Sequence, residues 1–300
     1  MAGKGRKREV KSPAGTGNEG FMKTYELIAP CHFGLEAVLK REILDLGYEV
    51  VKVEDGRITF KGDGAAVCRA NIFLRTAERI LIKVGSFHAE TFEELFQGTR
   101  SLPWEEWLPE DGKFWVTKAA SIKSKLFSPS DIQSVMKKAM VERMKAGYHT
   151  GYFPESGDAF PVRVFLMKDE VTAALDATGD SLHKRGYRRL TAKAPIAENL
   201  AAALIKLTPW RGDRILVDPF CGSGTFPIEA AMMAANMAPG MNRSFTAQAW
   251  KHLAPEAKWR AAFEEAGQQV KMDAYTDIQG YDIDEKMVSV SMETDTIFSS

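Results

Sequence analysis

The chain has 300 residues and a mass of 33.3 kDa, enough for two or three domains at roughly 100–150 residues each. Hydrophobic residues make up 45% and charged residues 27%, which excludes global disorder. Forty Lys and Arg balance forty Asp and Glu, which excludes a uniformly basic nucleic-acid binder but permits a local basic face.

Residues 1–21 read as a disordered basic tail carrying Lys4, Arg6, Lys7, Arg8 and Lys11, with no apolar stretch of a signal peptide behind them. Thr24–Ala29 reads as a strand. Leu35, Val38, Leu39, Ile43 and Leu46 then recur at helical spacing, and Gly47 stops that helix. Val50, Val51 and Val53 make a strand, Asp55-Gly56 a hairpin turn, and Ile58 and Phe60 the returning strand. A helix over 65–74 and a strand over 79–87 complete a strand-helix-strand-strand-helix-strand order. That order is the ferredoxin-like module, assigned to residues 22–89.

Charge then separates along the chain. Glu90–Asp111 holds seven acids against Arg100, and Lys113–Thr150 holds eight bases against Asp131 and Glu142. A shift from net −6 to net +6 is how a neutral chain builds a nucleic-acid face, here including Lys123 and Lys125. Ser130 or Asp131 is expected to cap a helix running to Ala146, with Gly147 ending it. Pro161–Phe165 and Glu170–Ala177 read as strands joined near Lys168-Asp169. His183–Lys193 follows with five bases, no acid and Tyr187 interleaved. Cations beside an aromatic suit phosphate contact and base stacking, so Lys184, Arg185, Arg188 and Arg189 are candidate RNA contacts. A solvated face is the plainer reading of each basic segment taken alone. The five histidines show no ligand spacing, so no metal site is inferred. Cys31, Cys68 and Cys221 are far apart and odd in number, which fits a reducing cytoplasm. No run of about 18 apolar residues suits a membrane span.

The most informative segment runs from Arg214 to Thr225. Ile215, Leu216 and Val217 read as a strand suited to burial on both faces of a parallel sheet, with Asp218 at its carboxyl end. Gly222 and Gly224 permit a tight turn and close backbone approach to a ligand. Thr225 is expected to cap the next helix, with Pro227 in its first turn. Pro227 stands where a dinucleotide fingerprint needs Gly or Ala, and Thr225 where a P-loop needs Lys. A nicotinamide-dependent oxidoreductase is disfavoured by Pro227 and by the basic joining segment. An acid at the strand end without a phosphate-binding Lys suits a ligand with a positive amino-acid moiety, such as S-adenosylmethionine. Asp282, ending a second strand 58 residues after Gly224, is a candidate ribose ligand or a plain strand-end turn. Asp284 is read as the cap of a helix over 285–290. The stretch 236–272, rich in Trp, Ala and Glu, reads as a helical insertion.

These residues resemble the THUMP-domain class I methyltransferases, specifically the bacterial 23S rRNA guanine-N2-methyltransferase family. Asp218-Pro-Phe-Cys-Gly-Ser-Gly-Thr225 resembles its S-adenosylmethionine motif, and Lys193–Leu200 the helix before it. Leu182–Arg188 resembles the signature joining RNA-binding and catalytic domains. The likeness runs from about Tyr25 to Met287. It implies an α/β and α+β chain: a ferredoxin-like module, a THUMP RNA-binding module over 90–180, and an incomplete Rossmann-like methyltransferase domain over 181–300. It implies S-adenosylmethionine as cofactor, held by Asp218, Phe220, Gly222, Gly224, Thr225, Asp282 and Pro195. The implied partner is large-subunit rRNA, and the implied reaction is methyl transfer to a guanine exocyclic amine. The family's catalytic Asn-Pro-Pro-Tyr or Asp-Pro-Pro-Tyr does not occur in these 300 residues. The chain therefore reads as a C-terminally truncated member with no assignable catalytic residue. The rival reading is a non-catalytic RNA-binding protein.

Overall fold

The computed structural model describes residues 23–187, 195–274 and 276–284. The expected basic tail, Arg188, Arg189 and the helix over 285–290 lie outside those residues.

The ferredoxin-like order appears as β1 (Tyr25–Pro30), α1 (Glu36–Asp45), β2 (Val50–Glu54), β3 (Arg57–Gly62), α2 (Gly64–Phe73) and β4 (Leu81–His88). Gly47 follows α1 with φ +86°, a conformation that favours glycine. Asp63 caps α2 by accepting the Ala66 N–H at 3.0 Å. β1 lies between β3 and β4, antiparallel to both, in the order β2-β3-β1-β4. Alternation along β1 and β3 sends Leu27, Ile58 and Phe60 into the core under Leu39, Ile43 and Ile72.

The next segment adds α3 (Phe92–Ser101), β5 (Lys113–Ile122), α4 (Pro129–Tyr148), β6 (Ala159–Met167) and β7 (Glu170–Asp176). Thr91 and Glu94 close a capping box on α3. Lys168 and Asp169, both at positive φ, form the tight β6–β7 turn. β7 pairs antiparallel with β4 and β5 parallel with β6, which gives one continuous seven-stranded sheet, β2-β3-β1-β4-β7-β6-β5. The two N-terminal modules therefore share a sheet, and most of their buried residues form one cluster, with Ile28, Leu81 and Ala174 forming a second, smaller one.

The boundaries of α4 differ from expectation at both ends. The helix starts at Pro129 with Ser128 as its cap, passes through Gly147 and ends at His149 in the left-handed region, φ +52°. Gly147 serves close approach rather than termination, since a Cβ there would sit 3.0 Å from the Glu105 Cβ. One residue on, the Tyr148 hydroxyl donates to the Leu108 carbonyl at 2.8 Å and fixes the last turn.

The C-terminal part supplies α5 (Glu198–Leu207), β8 (Leu216–Asp218), α6 (Thr225–Ala234), α7 (Glu256–Gln268) and β9 (Ile278–Gly280). β8 and β9 are parallel, with Leu216 opposite Ile278 and Asp218 opposite Gly280. Ile215 and Val217, expected to be buried, are 65% and 51% exposed. Among the described residues β8 pairs only with β9, and α6 packs against the pair. Thr225 is the first residue of α6 and is buried, so Gly224, at φ +78°, takes the cap position instead.

The stretch 236–272 is helical only in α7 and a short 3-10 turn, Thr246–Ala249. It packs back onto the seven-stranded unit. Trp250 stacks on Phe160 with centroids 5.0 Å apart and donates its indole N–H to the Ala159 carbonyl at 2.9 Å. α7 lies against α2, where both Arg69 nitrogens Nε and Nη2 reach Glu265 at 2.8 Å. This forked pairing matches carboxylate geometry.

Candidate cofactor and RNA sites

The turn after β8 is tied to the end of β9 by three bonds. Tyr281 N–H donates to the Asp218 carbonyl at 2.8 Å, and Cys221 N–H donates to the Tyr281 carbonyl at 2.8 Å. The Gly222 N–H donates to Asp282 Oδ2 at 2.9 Å. Gly280 makes this approach possible, because a Cβ there would lie 3.1 Å from Cys221 Cβ and Pro227 Cγ. The fold thus brings Asp218, Gly222 and Asp282 together from segments 60 residues apart.

Gly222 has φ +54°, and a Cβ on it would meet nothing within 4 Å. The space beside the turn is open. Asp282 accepts the Asp284 N–H through Oδ1 at 2.9 Å as well as the Gly222 N–H. These two backbone donors hold its carboxyl below the usual carboxylate range. A carboxylate has about four acceptor positions, so Asp282 keeps acceptor capacity for a ligand's hydroxyl. Asp218 Oδ1 accepts the Phe220 N–H at 3.1 Å, which shapes the turn. Burial, then the charges of Asp218 and Asp282, push the Cys221 thiol up. Cys221 is therefore a neutral wall of the site at pH 7 and no nucleophile. Gly224 and Thr225 start α6, and Phe220 stands 86% exposed at the tip of the turn.

Pro195 lies elsewhere, on a cavity of about 620 Å³ between the joining segment and the start of α5. His183, Lys184, Glu198 and Arg243 share that lining, and no residue of the glycine turn does.

The joining segment corrects one RNA candidate. Arg185 is 3% exposed and meets Glu229, itself 0% exposed, with Nε–Oε1 at 3.1 Å. Its Nη atoms donate to the carbonyls of Leu182 at 2.8 Å and Arg75 at 2.6 Å. Arg75 reaches the same Glu229 at 3.3 Å, and the Tyr187 hydroxyl donates to it at 3.4 Å. Arg185 thus closes a buried cluster rather than facing RNA, and buried Tyr187 offers no ring to a base. The cluster joins three segments: the residues after α2, the joining segment, and α6, the helix that starts at the glycine turn. Sequence reasoning missed Glu229 because its partners lie 42 to 154 residues away. Its only local mark is an acid among the apolar residues of α6. Lys184 is exposed and paired with Asp180 at 3.1 Å. Lys123 and Lys125 are exposed on the loop between β5 and α4, Lys125 beside Glu90.

Known proteins match all three parts of this architecture. The RlmL ferredoxin-like domain matches residues 26–81, the THUMP domain 89–176, and an RMKL-like methyltransferase domain 185–296. A Bacillus subtilis (strain 168) protein named "Putative RNA methyltransferase YpsC" is 46% identical over 274 residues, 91% of this chain and 70% of that protein. The chain belongs to the THUMP-domain RNA methyltransferases. Two solved members share its fold. A "possible methylase" from Clostridium difficile 630 superposes with TM-score 0.88 at 46% identity, covering 92% of this chain and 73% of that one. SMU.472, described as a putative methyltransferase complexed with SAH, gives TM-score 0.86 at 44% identity, covering 91% and 72%. Methyltransferases of this family use S-adenosylmethionine, whose demethylated product is the SAH of that complex.

Proposed function

We propose that this protein binds S-adenosylmethionine at the glycine turn and directs its methyl group to the exocyclic N2 of a guanine in 23S rRNA. The observation that carries the cofactor half is the joint between the two parallel strands. Asp282 holds the Gly222 N–H at 2.9 Å, beside an open space and a second strand-end acid, Asp218. Ligands of open α/β sheets bind outside the carboxyl ends of the strands, which is where this joint lies. Asp218 and Asp282 supply charge and acceptors for a cation and for ribose hydroxyls, and Gly222 lets the backbone come close. Gly224, Thr225 and Phe220 complete the turn. When bound, the cofactor supplies an electrophilic methyl group. The RNA half rests on the THUMP unit and on the exposed cations Lys123, Lys125 and Lys184. A structured rRNA presents the target base out of its stack.

Transfer is tested on the protein directly. Incubation with methyl-labelled cofactor and 23S rRNA, followed by digestion to nucleosides, is expected to give N2-methylguanosine. Label on the amine of adenosine instead would contradict the guanine assignment.

A further inference from the structure

α6, the helix that opens at the glycine turn, is gripped at two levels by one side chain of the N-terminal unit. Arg75 follows α2 and is buried. Its Nη1 meets Glu229 Oε2 at 3.3 Å, and its Nη2 donates to the Met237 carbonyl. Met237 is bound to the end of α6, because its N–H donates back to the Met232 carbonyl at 2.8 Å. The Arg75 backbone is itself fixed. Its N–H donates to Glu42 Oε2 at 3.1 Å, and the Thr76 N–H and hydroxyl donate to the same oxygen at 3.0 and 2.8 Å. Glu42 lies buried on α1, and its other oxygen meets Lys206 of α5 at 2.9 Å. The helices before and after β8, α5 and α6, are thus both tied to α1 and the residues that follow α2.

Apolar packing does not require this arrangement. Ile228 and Met232 of α6 already pack with Tyr187 and Met237. Such contacts are non-directional, and a helix resting on them alone turns or slides with little resistance. A planar guanidinium that must meet a carboxylate and a carbonyl at once does not allow this. Sliding α6 by one residue moves Glu229 by about 1.5 Å and turns it by about 100°, which breaks the contact. Buried ion pairs add little net stability, because desolvation offsets their attraction, and fixing register is their best-attested use. Register is what the glycine turn needs. Gly224 is the cap of α6, and Gly222, two residues before it, donates its N–H to Asp282 at 2.9 Å. A rotation of α6 carries that N–H away from Asp282 and opens the joint.

We infer that Arg75 and Glu229 are positioning residues for the cofactor turn: from outside the site they set the rotation of α6 and with it the Gly222–Asp282 joint. The inference rests on the cofactor reading above and adds that a side chain of the ferredoxin-like module governs cofactor affinity. The test titrates S-adenosylhomocysteine calorimetrically into wild type and three variants, with urea unfolding of each alongside. Arg75→Lys keeps the charge and loses the fork. It should bind about 3- to 30-fold more weakly, the range for residues that act through packed neighbours. The triple variant Arg75→Met, Arg185→Met, Glu229→Leu removes the charges of the cluster together. Its unfolding midpoint should stay at or above that of wild type, as apolar replacement of a buried ion cluster often gives, yet its affinity should stay low. Glu265→Ala cuts another contact between the same halves, the pair with Arg69, and should leave affinity unchanged. In nuclear magnetic resonance spectra of glycine-labelled protein, the Gly222 amide proton, identified by its loss in Gly222→Ala, should move upfield in Arg75→Lys as its bond to Asp282 lengthens. Wild-type affinity in Arg75→Lys, or in the triple variant while that protein is stable, would overturn the inference and leave the cofactor reading standing. An equal loss in Glu265→Ala would also overturn it, since any contact between the halves would then serve. Failure of wild type to bind would overturn the cofactor reading and this inference with it.

Discussion

Arg185 and His183 sit two residues apart in one basic run, and the fold uses them in ways that charge counting does not show. Arg185 is buried on Glu229, a partner 44 residues further along the chain. Local sequence cannot reveal such pairing, because the run reads the same whether its cations meet water, phosphate or a distant carboxylate. His183 is half-buried beside Lys184, Arg185 and Arg243. Burial first, and those cations after it, push its pKa below the ordinary value of 6.5. The folded protein therefore holds this imidazole neutral where the unfolded chain already protonates. Stability should fall as pH drops below about 6.5, because the unfolded state then binds the extra proton. Urea unfolding at pH 7.5 and pH 5.5 is expected to show a larger loss for wild type than for His183→Gln. An equal loss in both would show that another group sets the slope. The residues of the proposed cofactor joint were more legible. Asp218, Gly222 and Asp282 announce themselves by residue type and strand position, and each makes a bond at the joint.

Elements with strong period and clear stops were readable from the sequence. β1, α1, the Asp55-Gly56 hairpin and the β6–β7 turn all follow from alternation, helical spacing and turn residues. Elements set by tertiary contact were not. Gly147 looked like a helix stop but lies within α4, where a side chain would press on Glu105 at about 3.0 Å. The stretch 236–272 carried a helical composition but no sign of where it goes. Its Trp250 is fully buried against Phe160 on β6, and its α7 is clamped to α2 through Arg69 and Glu265. This insertion within the methyltransferase half is therefore part of the core of the RNA-binding half. Trp250→Ala removes a stacked ring and an indole hydrogen bond from a packed site. It should destabilise the protein by about 3–5 kcal/mol, the usual range for deleting a large buried aromatic. Chemical denaturation followed by circular dichroism checks this. A loss below about 1 kcal/mol, the level of a surface change, would mean that the insertion is only draped over the sheet.

At the scale of the molecule, couplings among the described residues that hold the halves together include the insertion on the sheet, Lys206 of α5 on Glu42 of α1 at 2.9 Å, and the Glu229 cluster that ties α6 to Arg75 and Arg185. The Glu229 cluster matters for the proposed function because α6 begins at the glycine turn, so the proposed cofactor joint is anchored directly to the N-terminal unit. The seven-stranded sheet that merges the ferredoxin-like and THUMP parts was not legible, since a β4–β7 pairing leaves no mark in either strand's own pattern. The family itself was legible, carried by the glycine turn and the joining segment. The central claim is that the turn between β8 and α6, with the end of β9 beside it, is the cofactor site. Its most direct test is calorimetric titration of S-adenosylhomocysteine into wild type, Gly222→Val and Asp282→Ala. Wild type should bind. Gly222→Val should bind at least about tenfold more weakly. A branched residue at φ +54° carries strain of about 1–3 kcal/mol, and its methyl groups enter the open space beside the turn. Asp282→Ala should weaken binding less. Equal affinity of wild type and Gly222→Val, with both proteins folded, would contradict the account.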